Sequence, residues 1–308
     1  MNASCLVCLE HCEPEQLNYH AACLRRLFDS PAVPAIEVDP LNLHLLGQSM
    51  AGKTTVSGVM AKVSLGWDRK TLRVASEIGG YVLKPQSREF PELPENEHVT
   101  MLLARKAGIE TPECGLVRLK DDRLAYLVRR FDRTRDGRRL PQEDFCQLAE
   151  LMPAEKYSGS GELVARLVKR LSAEPGVDLA RLYRQVLFAW WTGNGDMHLK
   201  NFSMLTRERG MPGLSPAYDL VNTEILIPGD SLALPVCGRR SNLKRRDWLT
   251  FGVYCEMEQR VIEDAWTNLV DLTPEAQNML ERSFLTVEMR EKYGMGLDAR
   301  TRLLKGAA

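Results

Sequence analysis

Up to Gly137 the chain places its apolar residues in short, strand-like runs, and beyond it they recur at intervals of three and four. The runs Leu43–Leu46, Val63–Leu65, Leu72–Ala75 and Tyr81–Leu83 are separated by Gly, Asp and Lys, which predicts the strands of a small sheet. Residues 94–107 have helical spacing and stop at Gly108, a residue suited to the left-handed position just past a helix. Two further strands are predicted at Cys114–Leu119 and Leu124–Phe131, joined by the polar turn Lys120–Arg123. Ahead of all these, residues 29–40 hold three Pro in twelve positions and read as an extended linker.

Helices are predicted over residues 141–152, 161–173 and 178–192, and Thr273-Pro274-Glu275 carries the capping signature of a long terminal helix. The expected class is therefore mixed α/β (α+β). A Cys/His-rich segment occupies 1–28, a small mixed sheet lobe 29–136, and a larger all-helical lobe 137–308.

Composition narrows the function classes. The 308 residues carry 41 Lys+Arg against 41 Asp+Glu and are 44% hydrophobic, which excludes a disordered chain. No run approaches the roughly 20 apolar residues of a membrane-spanning helix, and Met1-Asn-Ala-Ser-Cys5 begins no export signal, so a cytoplasmic protein without membrane partners is expected. Zero net charge argues against direct nucleic-acid binding by bulk electrostatics. Two local basic segments, 129–139 and 239–246, are either solvated faces or a docking surface for an acidic macromolecule.

Four of the eight Cys fall within the first 23 residues. Cys5-x2-Cys8 and His20-x2-Cys23 are two ligand pairs of the spacing that closes a tetrahedral zinc site, with His11 and Cys12 as spare donors. The alternative is a metal-free turn in which the thiols serve as small hydrophobes.

The densest chemistry lies in Gly193-Asn-Gly-Asp196-Met-His198-Leu199-Lys200-Asn201-Phe-Ser203. In a phosphotransferase an Asp orients the attacking hydroxyl, and an Asn five residues on can hold Mg²⁺. Asp196 and Asn201 have that spacing, and Tyr218-Asp219 supplies a second acid for the metal. Each acid alone could equally cap a turn. Lys84 closes a strand where a cation can meet ATP phosphates, and Glu97 opens the next helix, placed to pair with it. The polar stretch 54–62 is the candidate phosphate loop, with Thr55 and Ser57 near the γ-phosphate. A competing motif overlaps it: Gly47 to Thr54 fits the P-loop pattern around Lys53, although the strand–helix context such a loop requires is weak here.

Taken in order, these motifs resemble those of the HipA-type Ser/Thr kinases, the toxins of bacterial toxin–antitoxin systems. The resemblance rests on Val56 to Lys62, Arg130-Phe131-Asp132-Arg133, Leu140 to Asp144 with Lys156-Tyr157, Asp196 to Ser203, and Tyr218-Asp219. It implies a two-lobed protein-kinase-like fold. It also implies that Ser57, Gly58, Val59, Met60, Ala61 and Lys62 cradle phosphate, that Lys84 binds ATP, and that Arg129, Arg130 and Phe131 face the adenine. Asp196 would be catalytic, His198, Leu199, Lys200 and Asn201 would line the nucleotide, and Asp219 would hold Mg²⁺.

The chain is shorter than HipA itself and resembles the HipT branch, in which a separate small antitoxin protein supplies the N-terminal subdomain and a DNA-binding antitoxin acts with it. The family's substrates are aminoacyl-tRNA synthetases, and autophosphorylation of the phosphate loop, here at Thr55 or Ser57, inactivates the enzyme. Gly195-Asp-Met-His198-x-x-Asn201 also resembles the loop of small-molecule and lipid kinases, which keeps that class open.

Overall fold

The structure, a computed structural model, describes residues 4–13, 16, 18–38, 62–68, 70–75, 79–134, 136–207 and 210–306. The expected strand at 43–46, the motif around Lys53 and the phosphate-loop residues Thr55 and Ser57 to Ala61 lie outside the described residues. The chain divides into two compact units, one within Met1–Leu102, Pro112–Arg138 and Asn278–Thr286, the other within Leu103–Thr111, Arg139–Gln277 and Val287–Ala308.

The first unit opens with helix α1 (Ala21–Phe28), followed by strands β1 (Ala35–Glu37), β2 (Val63–Asp68), β3 (Thr71–Val74) and β4 (Tyr81–Lys84), most of helix α2 (Leu93–Lys106), then β5 (Cys114–Arg118) and β6 (Leu124–Arg129). The strands form one sheet in the order β1-β3-β2-β4-β6-β5. All pairings are antiparallel except β1 with β3. Five strands thus fall close to where the periodicity places them. The linker reading of 29–40 is corrected at Ala35–Glu37, where Ile36 pairs opposite Leu72. Pro34 precedes this strand rather than interrupting it, so its ladder donors survive.

Residues 4–13 and α1 close one edge of the sheet. Leu116 N donates to Leu6 O at 2.7 Å, Tyr19 Oη donates to Leu116 O at 3.1 Å, and Tyr81 Oη donates to Leu27 O at 2.8 Å. Gly115 makes the approach feasible, because a Cβ there would lie 2.9 Å from Val7 Cγ2. From Leu93 to Ala104, α2 is buried on every face, an unusual setting for Glu95, Asn96, Glu97, His98 and Thr100. Each of these must find a polar partner inside.

The second unit contains β7 (Gln142–Asp144), α3 (Phe145–Leu148), α4 (Gly161–Leu171), α5 (Pro175–Trp191), β8 (Ser203–Thr206), β9 (Pro212–Leu214), α6 (Arg245–Tyr254), most of α7 (Gln259–Arg282) and α8 (Val287–Leu304). Its core gathers around α5. Tyr183 stacks on Phe251 at 5.9 Å, Trp190 tilts onto Trp248 at 5.3 Å, and Trp191 Nε1 donates to Thr301 Oγ1 at 3.0 Å.

The mixed class stands, with three corrections to the expected elements. The second unit is not all helical, since β7, β8 and β9 form a three-stranded sheet. Residues 141–152 do not form one helix: Gln142–Asp144 pair with Ser203–Leu205, and Asp144 then caps α3 by accepting from Gln147 N, so the helical turn starts only afterwards. Thr273-Pro274-Glu275 does not begin a helix, because Pro274 sits inside α7. Ala276, Met279 and Leu280 beyond it are buried, and Thr273 Oγ1 donates to Leu269 O at 2.9 Å, so burial carries the helix across the lost backbone donor.

Candidate functional site

The loop after α5 is held by backbone geometry that only small residues allow. Gly193 takes φ +69, and its carbonyl accepts from Thr223 N at 3.0 Å and Glu224 N at 3.2 Å. Gly195 N donates to Thr223 Oγ1 at 2.7 Å, and the Thr223 hydroxyl donates to the Asp230 carboxylate. A Cβ on Gly195 would lie 2.2 Å from Asp230 Oδ2, so this position admits only glycine without a shift.

Asp196, 7% exposed, follows in a fixed pose. Its N–H donates to Asn194 Oδ1 at 3.0 Å, its carbonyl accepts from Asn201 Nδ2 at 2.9 Å, and its Oδ1 accepts from Tyr157 Oη at 2.6 Å. The 3₁₀ turn Leu199–Asn201 carries Asn201 back to Asp196, which is why a five-residue spacing brings the two together. His198 is buried and meets Tyr157 edge-on, with ring centroids 5.1 Å apart.

Lys200 Nζ donates to Asp144 Oδ2 at 2.7 Å. Tyr218 Oη donates to Lys200 O at 2.8 Å and lies 2.6 Å from Ser203 Oγ, and burial pushes its phenol well above the usual range. Asp219 adopts φ 55, a left-handed conformation that costs a non-glycine residue energy and concentrates at functional sites.

In the first unit, Lys84 and Glu97 form a direct ion pair, with side chains 3% and 2% exposed. Lys84 Nζ also lies 5.4 Å from the centre of the Tyr126 ring, its register partner on β6. Two residues before Glu97, Glu95 accepts from Gln86 Nε2 at 2.7 and 2.9 Å, and burial raises its carboxyl to about 7. The guanidinium of Arg129 pairs with Asp29 at 2.8 Å, and Arg130 makes a bidentate contact with Asp132 at 2.8 and 2.6 Å. These two side chains are thus committed to carboxylates.

Near the N-terminus, the ligand atoms of Cys5, Cys8, His20 and Cys23 all lie within 4.8 Å of one another. His20 Nδ1 is 3.3 Å from Cys8 Sγ and 3.9 Å from Cys23 Sγ, while Nε2 lies 2.8 Å from His11 O. Hydrogen bonds with Cys23 and Cys8 pull the Cys5 thiol far below the usual range, and those with Cys23 and Cys5 push Cys8 far above it.

Within each unit, then, predicted residues converge: Lys84 with Glu97 in one, and Asp196, His198 and Asn201 in the other. Lys62 is described and exposed. Sequence reasoning named Tyr157 only for its resemblance to a family segment and missed the supporting roles of Asn194, Thr223 and Asp230, although Asn194 and Gly195 within the loop are turn-type residues that signal backbone anchoring. The P-loop motif itself lies outside the described residues. Asp132, the acid after β6 that a P-loop site would need for its metal, is paired with Arg130 and Arg133, and the only parallel strand pair described is β1 with β3.

Residues 54–277 match the family described as the HipA-like C-terminal domain. The chain is 33% identical over 264 residues to "Putative kinase Y4mE" of Sinorhizobium fredii, covering 81% of this chain and 62% of that one. It is 28% identical over 196 residues to the serine/threonine-protein kinase toxin HipA of Shewanella oneidensis, covering 56% and 44%. It spans between 44% and 62% of the length of such curated relatives. Its fold superimposes on a chain of the Shewanella oneidensis HipA, HipB and operator DNA complex with a TM-score of 0.72 at 20% identity, over 83% of this chain and 67% of that one. The Helicobacter pylori proinflammatory kinase CtkA gives a TM-score of 0.57 at 16% identity, over 80% and 92%. The mixed α/β fold is therefore kinase-like. No helix among the described residues is long and apolar enough to cross a membrane.

Proposed function

The chain belongs to the HipA-like C-terminal domain family, and from that membership we propose that it is an ATP-dependent protein kinase acting on Ser or Thr hydroxyls. The observation that carries this reading is the buried Lys84–Glu97 pair, which fixes a cation at the end of β4 in the way phosphate binding requires. Asp196 is assigned as the group that accepts the attacking hydroxyl's proton. Tyr157 donates to Oδ1 and so sets the carboxylate's orientation.

Mg²⁺ fits the donors at hand. With its amide nitrogen given to Asp196 O, Asn201 has Oδ1 as its ligand atom, and Asp219 adds a carboxylate, a hard oxygen set of the kind Mg²⁺ takes. When bound there, the ion would neutralise charge on the transferring phosphate. Arg129 and Arg130 spend their charge on Asp29 and Asp132, so adenine recognition by this segment falls to its backbone and to Phe131.

Autophosphorylation at Thr55 or Ser57 would add about −2 charges where ATP phosphates must sit and so switch the enzyme off. The substrate is proposed to be an aminoacyl-tRNA synthetase, and the partners a small antitoxin protein and a DNA-binding antitoxin. The partner reading draws support from the fold's likeness to a toxin–antitoxin complex with HipB and operator DNA. A small-molecule or lipid kinase is the second reading, favoured by the motif Gly195-Asp-Met-His198-x-x-Asn201.

Intact mass after incubation with Mg-ATP, for wild type and Asp196→Asn, tests the first reading. Phosphate should accumulate on wild type alone, or a wild type phosphorylated from the start should phosphorylate a protein in a bacterial lysate. Equal gain by Asp196→Asn, or no phosphorylated protein under either condition, defeats it.

A further inference from the structure

We propose that Cys5, Cys8, His20 and Cys23 bind one zinc ion, and that this ion clamps the N-terminal knuckle onto strand β5 and helix α2. The proposal concerns the first unit alone and is independent of the kinase reading. In a tetrahedral site with Zn–S of about 2.3 Å and Zn–N of about 2.0–2.1 Å, a sulfur and a nitrogen ligand stand about 3.6 Å apart. His20 Nδ1 stands 3.3 Å from Cys8 Sγ and 3.9 Å from Cys23 Sγ, on either side of that value. The four donors come from two turns of the chain, and Cys5 and Cys23 are buried. They need only small adjustments to surround one ion.

The surroundings are those of a ligand set rather than of packed thiols. His20 Nε2 lies 2.8 Å from His11 O, and a proton on Nε2 donating to that carbonyl leaves Nδ1 with the lone pair a metal takes. Val7 N donates to Cys5 Sγ at 3.4 Å, and Arg26 Nη2 donates to Cys23 Sγ at 3.5 Å, both contacts that favour thiolate. Leu9 holds φ 63, and Cys5 N donates to Glu10 O at 2.7 Å, so the knuckle between Cys5 and Cys8 is tightly turned. Cys12 Sγ faces Nε2 rather than Nδ1 and stands outside the set.

The consequence lies in what the knuckle touches. Leu6 O accepts from Leu116 N on β5, and Val7 O lies 3.3 Å from His98 Nε2, the residue next to Glu97 on α2. Both carbonyls belong to the turn between Cys5 and Cys8. An ion that fixes this turn therefore also fixes the edge of β5 and the part of α2 that presents Glu97.

Full-length protein purified without chelator should carry about one zinc per chain by mass spectrometry of the metal. Cys12→Ser should keep it, while Cys8→Ser and Cys23→Ser should each fall below about a tenth of that. Should those variants fail to fold, wild type reloaded with Co²⁺ should show thiolate charge-transfer and tetrahedral d–d absorption that a chelator abolishes. Wild type without metal and without those bands, or metal retained by Cys8→Ser and Cys23→Ser alike, overturns the site. Chelation should also speed amide exchange in 114–118 and 93–102 by roughly tenfold or more. Unchanged exchange there overturns the clamp.

Discussion

Replacing one member of the Lys84–Glu97 pair should cost more stability than replacing both. The two side chains are 3% and 2% exposed, so each charge has surrendered nearly all of its hydration and relies on the other to offset the loss. Removing a single partner from a buried pair costs about 3–5 kcal/mol, whereas apolar residues of similar size in both positions are often neutral. Lys84→Met also forfeits the contact with the Tyr126 ring, worth about 0.5–2 kcal/mol, which Glu97→Leu leaves intact. Lys84→Met should therefore be the more damaging single change. The double variant Lys84→Met/Glu97→Leu should lie within about 2 kcal/mol of wild type, giving a coupling energy of several kcal/mol. Urea unfolding followed by circular dichroism measures all four corners of the cycle. Phosphate transfer measured on the same samples should be lost in both variants that lack Lys84, by about a hundredfold or more, since even the restored fold lacks the cation. Single changes that add to the double within about 0.5 kcal/mol would refute the mutual dependence of the two charges. A double variant that is stable and still transfers phosphate would remove Lys84 from the nucleotide's binding group.

Glu95→Gln should flatten the pH dependence of stability. Burial raises Glu95 from 4.5 to about 7, so between those values the folded protein keeps a proton that the unfolded chain has released. Its contribution is complete below about 4.5 and is lost as pH rises through about 7, by at most about 3 kcal/mol. Gln should remove most of that decline while still accepting from Gln86, and melting curves at pH 5 and pH 8 that shift equally in both proteins would dismiss the effect. Gly195→Ala should destabilise by about 1–3 kcal/mol, because its Cβ would displace Asp230 from the Thr223 hydroxyl. Phosphate transfer should fall further than the lost folded fraction explains, and activity that simply tracks that fraction would show that the bracket does not position Asp196.

The parts of the fold that could be read in the sequence are those governed by spacing along the chain. Short apolar runs placed strands at Val63–Leu65, Tyr81–Leu83 and Leu124–Phe131, where the structure has Val63–Asp68, Tyr81–Lys84 and Leu124–Arg129, and helical spacing over 94–107 placed Leu93–Lys106 to within a residue. Lys84 and Glu97 are thirteen residues apart, and a strand end followed by a helix start was enough to pair them. Where distant partners decide, local signals fail. Ala35–Glu37 is a strand because β3 accepts it, and Gln142–Asp144 is a strand because β8 does. Pro274 stays inside α7 because residues on both sides of it are buried.

The same distinction runs through the candidate site and the charged segments. Asp196, His198 and Asn201 are legible because one 3₁₀ turn brings them together, but Tyr157 reaches Asp196 across 39 residues, and Thr223 reaches Gly195 across 28. A count of charges is still less informative, because it ignores where each charge is spent. In the basic segment 239–246, Arg240 donates to the carbonyls of Leu232, Ala233 and Tyr157, and Arg245 lies over the Trp266 ring at 4.6 Å. Arg240 thus ties the loop at 232–233 to the residue that orients Asp196. Reversing its charge would disturb the support of Asp196 as well as any docking surface. A test of docking must therefore use cations with lighter duties, and Arg239, half exposed and 3.8 Å from Asp247 in a loose ion pair, is the better choice. Charge at a surface becomes evidence about a partner only after its structural duties have been subtracted.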